Sequence, residues 1–279
     1  MQKRNFKFSL EIFPPKKDSD IKTIYDTLDE LKDLNPDFIS VTYGALGSLN
    51  NNKTVKIASD IKNQYEIESV AHLTCVGLKK NDCDIILNEL KNNNVKNILA
   101  LRGDLVPGIE LGDFKYANEL VSYINEFGGF NVFGACYPEG HLEAASLDED
   151  IYNLKNKVDC GVKSLITQLF FDNKHFYKFQ KMALEKGITV PIEAGIMPIT
   201  NKKQIEKMSN TCGASIPDSV QLLLDKYGDN PEQLREEGIK YAVEQIKDLI
   251  NHGVYGIHLY TMNSPYIAKK IYEQIKHLM

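Results

Sequence analysis

Acid–base and anion-binding chemistry is available at a few widely spaced places along this chain. Glu11 alternates with Phe6, Phe8 and Leu10, so on an extended strand it shares a face with Lys7 and Ser9. A carboxylate held inward there, partly desolvated, has a raised pKa suited to general-acid work. The equal alternative is a structural carboxylate paired with Lys7 or another cation. Arg102-Gly103-Asp104 offers a donor fork that grips phosphate or carboxylate, a residue that lets a backbone approach a flat ligand, and a second carboxylate. Alone, that triplet reads first as a turn with an Arg–Asp ion pair. His72 by itself reads as a core histidine. His141, just past Pro138, reads as a loop residue that either touches a ligand or does not. Asn153 and Lys157 stand four apart on one helix face, which by itself is a solvated face. Tyr116 with Leu120 reads as core.

These residues need elements to hold them. Eight β-rich runs, at 6–13, 38–43, 69–75, 97–101, 131–137, 164–170, 190–196 and 255–260, alternate with amphipathic stretches. The helical stretches start near Asp18, Asn81, Asp113, Asp148, Asn173 and Asn201, and the last runs from Pro265 to the end. Asp148 and Asn201 are expected as caps, and Pro231 after Asn230 as a first-turn proline. Gly128-Gly129, Gly187 and Gly253 mark helix ends. After the seventh run the chain holds three helical pieces, at 202–209, 218–226 and 231–251. Asn50-Asn51-Asn52 and Asn92-Asn93-Asn94 read as short polar turns.

Strand–helix alternation implies parallel strands with crossovers, and eight repeats imply a (β/α)8 TIM barrel of the α/β class. The rival is an open doubly wound sheet. No Gly-x-Gly-x-x-Gly follows any run, and no Walker loop is present. At 279 residues the barrel is expected to fill 1–279 as a single catalytic domain with no regulatory domain. A net charge of -5 argues against nucleic acid as the main partner. Five cysteines, an odd number without metal-ligand spacing, suit a reduced cytoplasmic protein with no structural metal. No apolar run approaches a membrane span and no export signal opens the chain.

Barrel sites sit at the carboxyl ends of the strands. Read there, the polar residues are Glu11, Thr42-Tyr43-Gly44, His72 and Thr74, Arg102-Gly103-Asp104, Tyr137-Pro138-Glu139-Gly140-His141, Gln168 and Asp172, Glu193, and His258, Tyr260 and Asn263. Successive sites fall about 30 residues apart, one βα unit each.

Taken together these motifs resemble the methylenetetrahydrofolate reductase family. The likeness runs over 8–268. Phe8-Ser9-Leu10-Glu11-Ile12-Phe13-Pro14-Pro15, Val41-Thr42-Tyr43-Gly44-Ala45, His72-Leu73-Thr74-Cys75 and Leu101-Arg102-Gly103-Asp104 carry its first half. Tyr137-Pro138-Glu139-Gly140-His141, Ile166-Thr167-Gln168-Leu169-Phe170-Phe171-Asp172, Gly195-Ile196-Met197-Pro198-Ile199 and Leu259-Tyr260-Thr261-Met262-Asn263 carry its second.

The resemblance implies an FAD enzyme that reduces 5,10-methylenetetrahydrofolate to 5-methyltetrahydrofolate. NADH or NADPH would reduce the flavin and leave, and folate would take the same place. A partner electron-donor protein in place of NAD(P)H is one alternative, and a folate-binding barrel without redox activity is another. Glu11 matches the general acid that helps open the imidazolidine ring to a 5-iminium cation. Asp104 matches the carboxylate beside the flavin, which disfavours an anionic reduced flavin and stabilises the iminium. Thr42, His72, Arg102, Gly103, Tyr116 and Ala117 match FAD-contacting positions. So do Tyr137, His141, Ala144, Asp150, Asn153 and Lys157. Gln168 and Gln204 match folate-holding positions, Gln168 also the nicotinamide, and Tyr260 an aromatic near the shared substrate. A homo-oligomer is implied as well.

The chain departs from the family pattern in three places. Ser264 stands where an arginine usually meets the folate tail, which leaves that task to Lys202 or Lys203. Met208 stands where a phenylalanine often stacks on the substrate, and a thioether packs on a ring less rigidly. Leu46-Gly47-Ser48-Leu49 and the asparagines after it replace the usual Gly-Ser and Thr-Arg.

Overall fold

Period-two alternation of apolar and polar residues builds β1 (Lys7–Ile12), whose Phe8, Leu10 and Ile12 are buried while Glu11 on the other face is half-buried. The structure, a computed structural model, describes residues 6–15, 21–43, 52–104 and 112–279. After β1 follow α1 (Ile21–Leu31), β2 (Phe38–Val41), α2 (Asn52–Asn63), β3 (Ser69–Thr74), α3 (Lys80–Asn92), β4 (Asn97–Leu101), α4 (Ala117–Phe127) and β5 (Asn131–Cys136). Then come α5 (Leu147–Asp159), β6 (Ser164–Thr167), α6 (Asn173–Glu185), β7 (Ile192–Ile196), α7 (Lys202–Cys212), α8 (Asp218–Tyr227), α9 (Pro231–Asn251), β8 (Gly256–Tyr260) and α10 (Pro265–Ile275). The strands close into a barrel in chain order, β1 through β8. All eight expected strands are present, and the open-sheet rival is excluded.

The chain divides into two compact units. The first comprises Ser9–Ala135 and Asn156–Leu165. In it β1 to β5 pair in parallel, with Glu11 opposite Ser40 and His72 opposite Leu99. Phe38 and Phe133 meet edge to face at 5.6 Å, a preferred aromatic geometry. The second comprises Met1–Phe8, Cys136–Lys155 and Ile166–Met279. There β7 and β8 pair in parallel, with Gly195 opposite His258. A cluster of Leu169, Phe171, Met197, Ile199, Ile205 and Leu224 joins the start of α6 to α7 and α8.

Several boundaries move, each for a local reason. The run 164–170 is strand only over Ser164–Thr167; the Gln168 N–H still donates to the Cys136 carbonyl at 2.7 Å, and the next N–H, that of Leu169, goes to the Gln168 side-chain oxygen at 2.8 Å. The run 190–196 begins pairing at Ile192, after Pro191, which has no N–H to offer. Asp148 is not a cap: it lies inside the first turn of α5. Ser146 does the capping, its Oγ accepting from Glu149 N at 3.2 Å, while Glu149 accepts from Ala145 N at 2.7 Å. Asp113 begins no helix either. Its carboxylate accepts from Lys80 N at 2.8 Å, at the start of α3, and α4 begins at Ala117. Asn201 and Asn230 cap α7 and α9 as expected. The start expected at Asp18 lies outside the described residues, as do Gly44-Ala45 and the Leu46–Asn50 stretch. The helix α2 was not anticipated, and Asn52 opens it. Among the described residues no helix is long and apolar enough to cross a membrane.

Candidate active site

In the first unit the β1–β2 register sets Ser40 across from Glu11. The Ser40 Oγ donates to Glu11 Oε2 at 3.4 Å, and His72 Nε2 lies 3.4 Å from the same oxygen. Ser40 and His72 are buried, while the Glu11 side chain is 17% exposed. One carboxyl oxygen thus faces both a hydroxyl and an imidazole. A hydroxyl accepts as well as donates, so this setting tolerates both protonation states of Glu11. His72 is both the buried histidine its context suggested and a neighbour of the Glu11 carboxylate.

The triplet after β4 keeps its strand's line for one residue more. Leu101 and Arg102 carbonyls accept from Cys75 and Val76 N–H groups at 3.0 and 3.0 Å. Gly103 then turns at φ +82, where a Cβ would stand 3.1 Å from that of Thr74. Only glycine fits that close approach without strain. Asp104 beyond it is exposed. Thr42 is half-buried, and its carbonyl accepts from Thr54 Oγ1 at 2.9 Å. Lys157 on α5 donates to the Ala135 carbonyl at 2.5 Å, which fixes the ammonium against β5. Tyr116 corrects the core reading: it is 48% exposed, whereas Leu120 is fully buried. The Lys115 ammonium lies 5.0 Å from its ring centroid. Ala117, next in line, is half-buried. Burial pushes the Cys75 and Cys83 thiols up to about 12, so neither is a thiolate at neutral pH.

The second unit contributes rings and neutral donors. Tyr137 and His141 meet edge to face at 4.8 Å. His141 Nδ1 accepts from Glu143 N at 3.1 Å, which assigns the neutral ring's proton to Nε2 and makes that nitrogen a donor. The Ala144 N–H donates to the His141 carbonyl at 2.9 Å, so the loop is tightly wound. Asp150 is buried in the first turn of α5, where a negative charge is favoured. Asn153 is exposed. Gln168 commits its side-chain oxygen to Leu169 N, leaving the amide NH2 as the group it presents. Gln204 is half-buried in the first turn of α7. The Tyr260 hydroxyl donates to the Thr167 carbonyl at 2.7 Å, so its ring rather than its hydroxyl is on offer. Gly195 makes room for that ring, since a Cβ there would stand 2.7 Å from the hydroxyl. Met208 is half-buried against the Leu169 cluster. Of the two candidate tail cations, Lys202 is held 3.4 Å from Asp225, while Lys203 is exposed.

Sequence reasoning did not single out Ser40, Thr167 or the contacts of Glu139. Ser40 could only be found from the register between parallel strands. Among the described residues no group of three or more His, Cys, Asp or Glu is gathered as for a metal ion.

The family model described as methylenetetrahydrofolate reductase matches residues 1–276. The 5,10-methylenetetrahydrofolate reductase of Escherichia coli (strain K12) is 37% identical over 255 residues, spanning 91% of this chain and 86% of that protein. The Arabidopsis thaliana protein named methylenetetrahydrofolate reductase (NADH) 1 is 36% identical over 272 residues, 92% of this chain but 46% of that one. Among solved structures, an uncharacterized Clostridium thermocellum protein that binds two copies of 5-methyl-5,6,7,8-tetrahydrofolic acid superposes with a TM-score of 0.67. It covers 98% of this chain and 96% of its own at 14% identity, a likeness of fold alone.

Proposed function

The chain belongs to the methylenetetrahydrofolate reductase family, and from that premise we propose how its own residues serve the family's reaction, the reduction of 5,10-methylenetetrahydrofolate to 5-methyltetrahydrofolate. The observation that carries the proposal is the Glu11 carboxyl at the end of β1, with His72 Nε2 and Ser40 Oγ each 3.4 Å from one of its oxygens.

Glu11 donates its proton to the substrate nitrogen that departs as the five-membered ring opens. Ser40 then donates to the carboxylate left behind, and His72 orients it. Asp104, exposed beyond Gly103, supplies negative charge that stabilises the cationic, ring-opened folate. Gln168 presents its amide NH2 to the folate, and to the nicotinamide in its turn. Gln204 holds the folate, and Tyr260 offers its ring face to either.

FAD, when bound, supplies the hydride carrier between NAD(P)H and folate. The residues present fit such a group. Gly103 turns the chain at φ +82 just past the end of β4, Tyr116 is an exposed ring beside a lysine, and His141 offers an Nε2–H. In the first unit Thr42, His72, Arg102, Gly103, Tyr116, Ala117 and Lys157 would hold it. In the second, Tyr137, His141, Ala144, Asp150 and Asn153 would. With a net charge of -5, attraction for an anionic cofactor rests on local cations such as Arg102 and Lys157. We further propose that 1–279 acts as one catalytic domain. A cytoplasmic location suits its five free thiols.

Three measurements test the proposal. Purified protein should be yellow, and a protein that stays colourless after FAD is added refutes the cofactor. Stopped-flow bleaching by NADH or NADPH should identify the donor, and bleaching by neither would favour a donor protein. Formation of 5-methyltetrahydrofolate by the reduced enzyme tests the reaction itself.

A further inference from the structure

The loop after β5 carries a carboxylate that the reaction does not use. Glu139 accepts from the Ser215 N–H with both oxygens, at 3.1 and 3.1 Å, and from the Ser215 hydroxyl at 2.5 Å. His175 Nε2, on the first turn of α6, lies 3.5 Å from Glu139 Oε2 and 3.4 Å from Ser215 Oγ. The Glu139 side chain is only 13% exposed. Such a trio invites comparison with a nucleophile triad, but the geometry is wrong. A triad acid holds the histidine nitrogen remote from the serine. Here the carboxylate lies against the same ring nitrogen and accepts the serine hydroxyl's hydrogen bond directly. The cluster is a clamp.

What it clamps is the end of α7. Ser215 follows the turn that closes this helix, and the Ser209 hydroxyl donates to the Ala214 carbonyl, tying that turn to the helix. A second stitch lies beside the first. Leu142, from the same loop as Glu139, presses on the α7 C-cap so closely that a Cβ at Gly213 would stand 2.7 Å from its Cδ2. The other end of α7 is fixed by the Asn201 cap and by Lys202 at Asp225. Between these anchors the helix carries Gln204 and Met208.

We infer that Glu139 is a positioning residue for folate: by gripping Ser215 it sets where α7 ends, and so where Gln204 and Met208 stand. The inference rests on the proposed folate-facing role of α7. Misplacing a contact by an ångström costs up to about 100-fold in an enzyme. For a binding contact alone the expected loss is smaller, roughly 10-fold.

The test is a split between KM and kcat. Glu139→Ala should raise the KM for methylenetetrahydrofolate about 10-fold and leave kcat within about 2-fold. Flavin bleaching by the nicotinamide donor should keep its wild-type rate. Glu139→Gln keeps an oxygen acceptor for Ser215 and should restore most of the affinity. A wild-type KM in Glu139→Ala overturns the inference, as does a kcat that falls in step with thermal stability or a Gln variant no better than Ala. Should the Ala variant not fold, Ser215→Ala carries the test: a raised KM at unchanged Tm supports the clamp, and an unchanged KM overturns it. A wild-type enzyme that turns over no folate overturns the functional reading, and this inference with it. A wild-type KM in the variants overturns the inference alone.

Discussion

The two compact units contribute different kinds of residue to the proposed site. The unit of 9–135 and 156–165 supplies the ionisable and charged types among the proposed site residues: Glu11, His72, Arg102, Asp104 and Lys157. The unit of 1–8, 136–155 and 166–279 supplies mostly rings and neutral donors to it, Tyr137, His141, Gln168, Gln204 and Tyr260, beside the carboxylate of Asp150. Charged groups act over distance and change the barrier to reaction. Rings and amides act by contact and set orientation. Substitutions in the first unit should therefore damage chemistry, and those in the second should damage fit.

The sharpest way to break this division is Glu11→Gln. It should slow folate reduction about 1,000-fold, within the range of a lost general acid, while flavin reduction by the donor proceeds nearly as in wild type. Stopped-flow measurement of both half-reactions decides, and equal losses in the two would contradict the proton role. Arg102→Ala should weaken FAD roughly 10- to 100-fold, the worth of a charged hydrogen bond, as read by flavin fluorescence on titration.

In the second unit Gly195→Ala should act through space alone. The added Cβ would meet the Thr167 carbonyl and stand 2.7 Å from the Tyr260 hydroxyl. Overpacking of this kind costs about 1–3 kcal/mol, measurable by urea denaturation. The displaced ring should raise the folate KM more than it lowers kcat.

The smallest effect belongs to a clasp away from the strand ends. Asp248 on α9 accepts from Asn173 at 2.7 Å and Tyr177 at 2.6 Å. These bonds, Asn173 first, hold its carboxyl below the ordinary 3.8. Burial, then the bond to Asp248, raises the Tyr177 hydroxyl. Because the folded-state value of Asp248 is the lower one, the clasp's stability is fully present above the unfolded value. It is lost as pH falls from about 4 through the folded value. The carboxylate is 46% exposed, so the contribution is small. Asp248→Asn should flatten the acid limb of a Tm-against-pH curve slightly and leave the neutral Tm little changed.

Strand positions were legible because period-two alternation and short apolar runs survive in any context. The run at 97–101 matches β4 to the residue. Elements whose start depends on a partner were less legible. Asp113 stands near an expected helix start, but its carboxylate accepts from the Lys80 N–H of α3, which lies far before it in the chain. The helix α2 escaped because its polar residues include Asn52, Thr54, Ser59 and Asn63, types that compete for backbone bonds. In the fold those bonds are made: Thr54 donates to the Thr42 carbonyl and Ser59 to that of Val55, and both residues are buried. Of the proposed site residues, Glu11 lies on β1, Gly103 just past β4 and Tyr260 at the end of β8, the places their motifs suggested. The contacts of Ser40 and Glu139 were not legible, because a serine in a strand and a glutamate in a loop carry no mark of their partners.

Residue order by itself determined the eight strands, their parallel connection and the kinds of group at each strand end, because periodicity and crossover length are local properties of a chain. It also determined the family, since eight motifs in one order leave little freedom. Tertiary structure decided which groups meet. Register put Ser40 against Glu11, burial set His72 beside the same oxygen, and a turn 76 residues on from Glu139 brought Ser215 to its carboxylate. Such pairings depend on how distant segments pack, and no local pattern in the sequence records them.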